Sequence, residues 1–441
     1  MRCRGKYFLI FLIFGGLVFA SLDCKSDVLA ANSLNSCARL GITYRSKGIG
    51  YTCKRVGKSL RWVRNSVGTP KSTTTTISDT QMLASNPPSP EQLSNCRLPD
   101  ARTSRFVDSW QAITYPAVPN NGFLNSGTID VAVVFVDFPD VVGATQELSE
   151  HVEEIKKVAA WYSWFSQGNV KYNLRIADRW VRAPKTSENY YWLHPGKSGT
   201  QLQSDLEIAD SYRSLAGSVM NTSGVTTVWA ILPKAITKID EGFAYRAYPG
   251  VFSIGSDSYR AGTPIWQHFV HETLHSHGAL GHSPKNTQIG LFWNTGSPGA
   301  TLNSWDAMTL DWMKQENVYC ISKENLITQK LTLVPLEREQ AGLRSAIVKI
   351  SEYEALVIES HRKDTWSTRW PDGTSGVSVM KVDTRLDTVW DLGSSTSRYL
   401  IPAREHSLDF LKVGQSFDTD GVKISLVTTG NLDQIFIEKV N

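Results

Sequence analysis

The chain has 441 residues, 41% of them hydrophobic and 20% charged, which is the usage of a folded globular protein rather than a disordered, collagen-like or coiled-coil one. That length suits two or three domains, and no internal stretch reaches the roughly 18 apolar residues of a membrane span. Of the net charge of +4, Arg2, Arg4 and Lys6 supply three units within the first twenty residues, which hold no acid. The near-neutral remainder gives no general electrostatic case for nucleic acid.

Residues 1–20 read as a secretory signal peptide: the three cations form a positive n-region, Tyr7 to Phe19 an apolar stretch, and Val18-Phe19-Ala20 a small-residue cleavage site before Ser21. Ser21-Leu22-Asp23-Cys24 is a poor lipidation signal, because Asp precedes the Cys. The expectation is a secreted protein with no stable membrane span after cleavage, in which disulfides can form. Of six Cys, Cys3 leaves with the leader. Cys24, Cys37, Cys53, Cys96 and Cys320 remain, an odd number whose pairing the sequence leaves open.

Residues 21–64 form a small basic module, with nine Lys/Arg against Asp27 alone from 24 to 64. It is too short to bury much core, so a Cys37–Cys53 staple suits it. The segment from Cys37 through Gly50, Cys53 and Gly57 to Trp62 resembles a Cys–Gly–Cys–Trp module of exported actinobacterial proteins. Attachment to an anionic cell-wall polymer and a solvated basic spacer both fit it. Residues 65–95, with Thr73 to Thr76 and Pro87-Pro88-Ser89-Pro90, read as an extended linker.

From Cys96 the pattern becomes α/β. Ile129 to Val136 is a β-branched apolar run that predicts a buried strand. Leu148, Val152, Ile155, Ala159 and Tyr162 fall on one face of a helix. Thr226–Leu232 and Val251–Ile254 predict further strands, and 263–280 a helix started by Thr263 and Pro264. From 327 to 441 the chain reads as an all-β, sandwich-like C-terminal domain, with strands at 330–334, 346–350, 355–359, 377–382, 422–427 and 434–438.

The chemistry sits in the predicted helix. His271 and His275 are four residues apart, one turn along one face, and Glu272 follows the first of them. This H-E-x-x-H spacing lets two imidazoles reach one Zn²⁺, with the carboxylate placed to act as general base. Neutral imidazoles leave the ion's charge intact, and that charge makes water a nucleophile near neutral pH. Gly278 can take the left-handed conformation that ends a helix. Downstream, His282 is the expected third ligand and Asp306 the second candidate. Met308 is expected in the core, and His268 and His277 off the ligand set.

Residues 96–441 resemble the secreted zinc metallopeptidases of the immune inhibitor A type, particularly compact actinobacterial relatives. The resemblance is carried by Val134-Phe-Val-Asp-Phe-Pro-Asp140, Trp161-Tyr-Ser-Trp-Phe-Ser-Gln-Gly168, the His271–Gly278 helix, Ser304-Trp-Asp-Ala-Met-Thr-Leu-Asp-Trp312, and Ala355-Leu-Val-Ile-Glu-Ser360 with Gly376-Val-Ser-Val379. It implies a zincin-like catalytic domain over 96–326, a Zn²⁺ cofactor and proteolysis of protein or peptide substrates. The chain departs from that pattern in reading Gly278-Ala-Leu-Gly281-His282 where relatives have Gly-Leu-Pro-Asp. Two other functions remain open on sequence: a surface- or wall-binding protein with a non-catalytic metal site, and a zinc hydrolase of cell-wall peptides.

Overall fold

Gly127–Asp137 is two-sided hydrophobic after its first turn of chain, and such a strand is stable only with neighbours on both edges and cover on both faces. A computed structural model describes residues 43–46, 49–56, 59–64, 89–102, 113–120, 122–193, 198–279, 301–363, 365–367, 375–385, 398–400 and 410–440. The leader, Cys24, Cys37, linker residues 65–88 and His282 lie outside the described residues. The chain divides into two compact units, 1–78 and 79–441.

In the first unit Thr43–Ser46 (β1), Ile49–Val56 (β2) and Ser59–Arg64 (β3) form an antiparallel meander in the order β1-β2-β3.

The second unit opens on the expected α/β layer. Gly127–Asp137 is β4, followed by helix α1 (Thr145–Phe165), β5 (Val170–Arg182), α2 (Asp205–Gly217) and β6 (Thr227–Ile231). β7 (Ala244–Tyr245), β8 (Gly250–Ser253), α3 (Ser256–Arg260) and α4 (Ile265–Ser276) complete it. The sheet order is β5-β4-β6-β8-β7, parallel except for the short edge strand β7, which runs antiparallel to β8. β4 is central, and from Val131 on it is buried without a break. α2 starts on a capping box: Ser204 Oγ accepts from the Glu207 amide, and the Glu207 carboxylate accepts from the Ser204 amide.

After the short helix α5 (Ser304–Thr309) come β9 (Val318–Ser322), β10 (Gln329–Leu333), β11 (Ser345–Lys349), β12 (Glu354–His361), β13 (Gly376–Asp383) and β14 (Arg398–Leu400). β15 (Ser416–Thr419), β16 (Val422–Thr428) and β17 (Asp433–Lys439) end the chain. They build two sheets, a mixed one in the order β14-β13-β12-β11-β9 and an antiparallel one in the order β10-β17-β16-β15. Alternation along the mixed sheet explains its burial. Ala346, Val348, Leu356, Ile358, Val377 and Val379 face the antiparallel sheet across a sandwich core. Their neighbours Ile347, Ala355, Val357, Met380 and Val382 join the core of the α/β layer.

Two expectations change here. The boundary at 327 falls inside the mixed sheet, because β9 pairs in parallel with β11, so the C-terminal strands share a core with the α/β layer instead of standing apart. The last residues of the expected linker are also held. Glu91 bridges to Cys320, its carboxylate accepts from the Ser322 amide at 3.0 Å and from Asn325 Nδ2 at 2.9 Å, and Leu93 is buried. Burial opposes ionisation of Glu91, yet those donors win and hold its carboxyl at about 2. The open cysteine question is partly answered: Cys96 and Cys320 form a disulfide.

A buried charged cluster fastens α5 to the mixed sheet. His361 Nδ1 lies 2.8 Å from Glu337 Oε1 and its Nε2 3.0 Å from Glu359 Oε1, with all three side chains fully buried. Glu359 also accepts from the amide of Ser304, the first residue of α5, at 2.7 Å. Burial alone would lower the His361 pKa, but the carboxylates of Glu337 and Glu359 raise it to about 10. A raised folded pKa stabilises fully below the unfolded value of about 6.5 and is lost as pH climbs through about 10. His361→Gln, which strands two buried carboxylates, should therefore cost about 3–5 kcal/mol near pH 6. Its deficit against wild type should narrow by up to about 1.4 kcal/mol per pH unit between about 6.5 and 10, as read by urea unfolding at a series of pH values; a deficit that widens with pH contradicts the assignment.

Candidate metal centre

Helix α4 carries the predicted site. Its start differs from expectation: Pro264, not Thr263, takes the N-cap position, with no side-chain cap bond, and its carbonyl accepts from the Gln267 and His268 amides. Thr263 does not cap because its amide is drawn back to the Ser258 carbonyl, in the turn that closes α3. The far end behaves as expected. The Gly278 amide bonds the His275 carbonyl, the Ala279 amide bonds the Leu274 carbonyl, and Gly278 has φ +87°. These are the paired bonds of a glycine-terminated helix. A Cβ at Gly278 would also meet the Val118 carbonyl oxygen at 2.5 Å, so this turn admits no side chain.

The helix is held from three directions. Toward the sheet, Phe269 stacks on Trp229 of β6 at 4.9 Å between ring centroids. Toward α1, Thr273 Oγ1 lies 2.7 Å from Tyr162 Oη, and Thr273 donates to the Phe269 carbonyl at 2.6 Å. Trp266 meets Trp366 edge-on, and Trp366 stacks on Trp164. His268 is buried, and its Nε2 lies 3.0 Å from the carbonyl of Ser253 on β8, which ties the helix to the strand beside edge strand β7. His268 thus positions the helix and lies outside any donor set.

With α4 fixed in this way, His271 and His275 converge. Their Nε2 atoms are 3.3 Å apart and their rings are near perpendicular at 86°. Two imidazoles bound to one tetrahedral Zn²⁺ at about 2.0–2.1 Å hold their nitrogens about 3.3 Å apart, so the pair fits that ion. His275 is buried, whereas His271 and Glu272 are partly exposed.

The other candidates fall elsewhere. Asp306 is built into the cap of α5: its amide donates to Asn303 Oδ1 at 2.8 Å, and its Oδ2 accepts from Asn303 Nδ2 at 2.7 Å. Among the described residues no group of three or more His, Cys, Asp or Glu side chains converges to hold a metal, so the structure does not bring Asp306 to the histidine pair. Met308 is fully buried. His277 is buried with Nε2 at 2.8 Å from Tyr172 Oη and Nδ1 at 3.2 Å from Asn125 Oδ1, and burial pushes its pKa down to about 3.

A cavity of about 990 Å³ lies at the start of α4, between Glu150 and Glu154 of α1, Ile236, Tyr259 and Pro264. It is on the α1 side of the helix. At about 100° per residue, His271 and His275 point roughly 150° away from Val270 and Thr273, the residues that meet α1.

The sequence reading missed the groups that aim the helix. Tyr162, Trp229 and Ser253 come from segments far along the chain, and no local pattern marks them as partners of α4. No protein-family model matches the chain, and no curated protein matches it.

Proposed function

We propose that this chain is a secreted zinc-dependent endopeptidase with a zincin-like α/β catalytic layer. The observation that carries the reading is the pair of Nε2 atoms 3.3 Å apart on α4; Glu272, next in sequence to His271 and partly exposed, is the candidate base. The resemblance of the His271–Gly278 segment to peptidases of the immune inhibitor A type supports it.

His271 and His275 would hold the ion, with His282 the expected third donor. When bound, the zinc ion supplies Lewis acidity, polarising a carbonyl and making water nucleophilic near neutral pH. Glu272 accepts the proton of the attacking water and returns it to the leaving amine. Edge strand β7 ends its sheet, and the backbone of such an edge can pair with an extended peptide and align it. His268, through the Ser253 carbonyl, keeps that edge in register with the helix.

The test is casein digestion by the purified chain, with and without a zinc chelator. Hydrolysis should disappear on chelation and return when zinc is restored. Hydrolysis that survives exhaustive removal of metal contradicts the reading.

A further inference from the structure

In the three-stranded unit Lys54 of β2 stands directly opposite Arg61 of β3, and Arg55 stands opposite Leu60. Lys54, Arg55 and Arg61 are exposed. Because faces alternate along a strand, Lys54 and Arg61 share one face and Arg55 belongs to the other. A directly opposed pair of like charges costs an isolated sheet stability. Residues 28 to 78 contain no Asp or Glu, and no ion pair to Lys54 or Arg61 occurs among the described residues.

We propose that the Lys54–Arg61 face is a docking surface for a linear, flexible polyphosphodiester of the poly(polyol phosphate) class outside the cell. Charge complementarity carries this assignment. Two cations held on neighbouring strands, about 4.7–4.9 Å apart, suit successive charges of one pliable strand. Phosphates laid across them remove the repulsion that the bare face carries. Read as an export leader, the segment with Arg2, Arg4 and Lys6 would send the chain to a compartment where such polymers, rather than nucleic acids, are the abundant polyanions. This inference does not rest on the peptidase reading, since the meander and α4 belong to different units.

The experiment compares Lys54→Glu with Arg55→Glu in the full chain lacking the leader. These neighbours change net charge equally but lie on opposite faces. Folding is not at risk in Lys54→Glu, because the new carboxylate would face Arg61 and form a favourable cross-strand pair. Binding is measured to soluble poly(glycerol phosphate), to a single-stranded oligodeoxynucleotide of equal charge, and to phosphatidylglycerol vesicles. The wild type should bind the polymer best. Lys54→Glu should weaken that binding at least tenfold and lower the log–log salt slope by about 0.7 for each phosphate no longer neutralised. Arg55→Glu should change it less than threefold. No binding by the wild type, equal losses in the two variants, or tighter binding to the oligonucleotide or the vesicles would each overturn the proposal.

Discussion

Glu272→Gln should leave zinc content unchanged and lower peptide hydrolysis by about 10²–10⁴-fold, the range lost with a general base. The amide matches the carboxylate in size, so the helix and the histidine pair keep their places, but it cannot take a proton from water. The loss should fall on kcat with KM little changed, because the carboxylate acts in the transition state rather than in holding substrate. Glu272 is partly exposed on a helix whose packing runs through Phe269, Val270 and Thr273, and the thermal midpoint of the variant, read beside its kinetics, separates a loss of chemistry from a loss of fold. Steady-state kinetics on a peptide substrate, alongside metal analysis, check it. Activity within threefold of wild type would remove Glu272 from the chemistry.

The second large effect is on stability. Cys96 and Cys320 are separated by 224 residues, and both are fully buried. A cross-link closing so long a loop removes much entropy from the unfolded chain, and native bridges of this kind contribute about 2–5 kcal/mol. The double substitution Cys96→Ala, Cys320→Ala should therefore lower the thermal midpoint by about 5 °C, given an unfolding entropy near 2.1 cal/mol/K per residue over a unit of this size. Differential scanning calorimetry reads it directly. The bridge fastens the strap before the α/β layer to β9, and Glu91 grips the same strand through Ser322 and Asn325. Because of that second grip, the variant should unfold at lower temperature yet still fold. An unchanged midpoint would mean that Glu91 and the buried Leu93 hold the strap without help.

Much of the secondary structure was legible because its burial is periodic. The apolar run at 129–136, the helical spacing from Leu148 to Tyr162 and the six predicted C-terminal strands all match elements of the structure. Two further elements carry sequence signals that went unused. β5 alternates Val170, Tyr172, Leu174 and Ile176 with Lys171, Asn173 and Arg175, and α2 begins with the Ser204–Glu207 box. The domain boundary was not legible, because a strand whose two faces enter two different cores looks like any apolar strand. Ala355 and Leu356 are neighbours in sequence and sit in separate cores.

At the site, the local spacing placed His271 and His275 on one face of α4, but it named Thr263 where Pro264 takes the N-cap. The termination at Gly278 followed from glycine's access to positive φ. What the spacing could not tell was which faces of the helix are packed, since that depends on Tyr162 and Trp229 arriving from elsewhere. The Glu337–His361–Glu359 cluster was half legible: Glu359 and His361 are two apart on β12 and so share a face, but Glu337 reaches them only through the fold.

X-ray absorption at the zinc edge, on the purified chain loaded with one equivalent of metal, tests the central claim most directly. The expected first shell contains at least two imidazole nitrogens at about 2.0–2.1 Å, with their signature lost when His271 and His275 are both replaced by Ala. A first shell without imidazole scattering, or one unchanged by that double substitution, would contradict it.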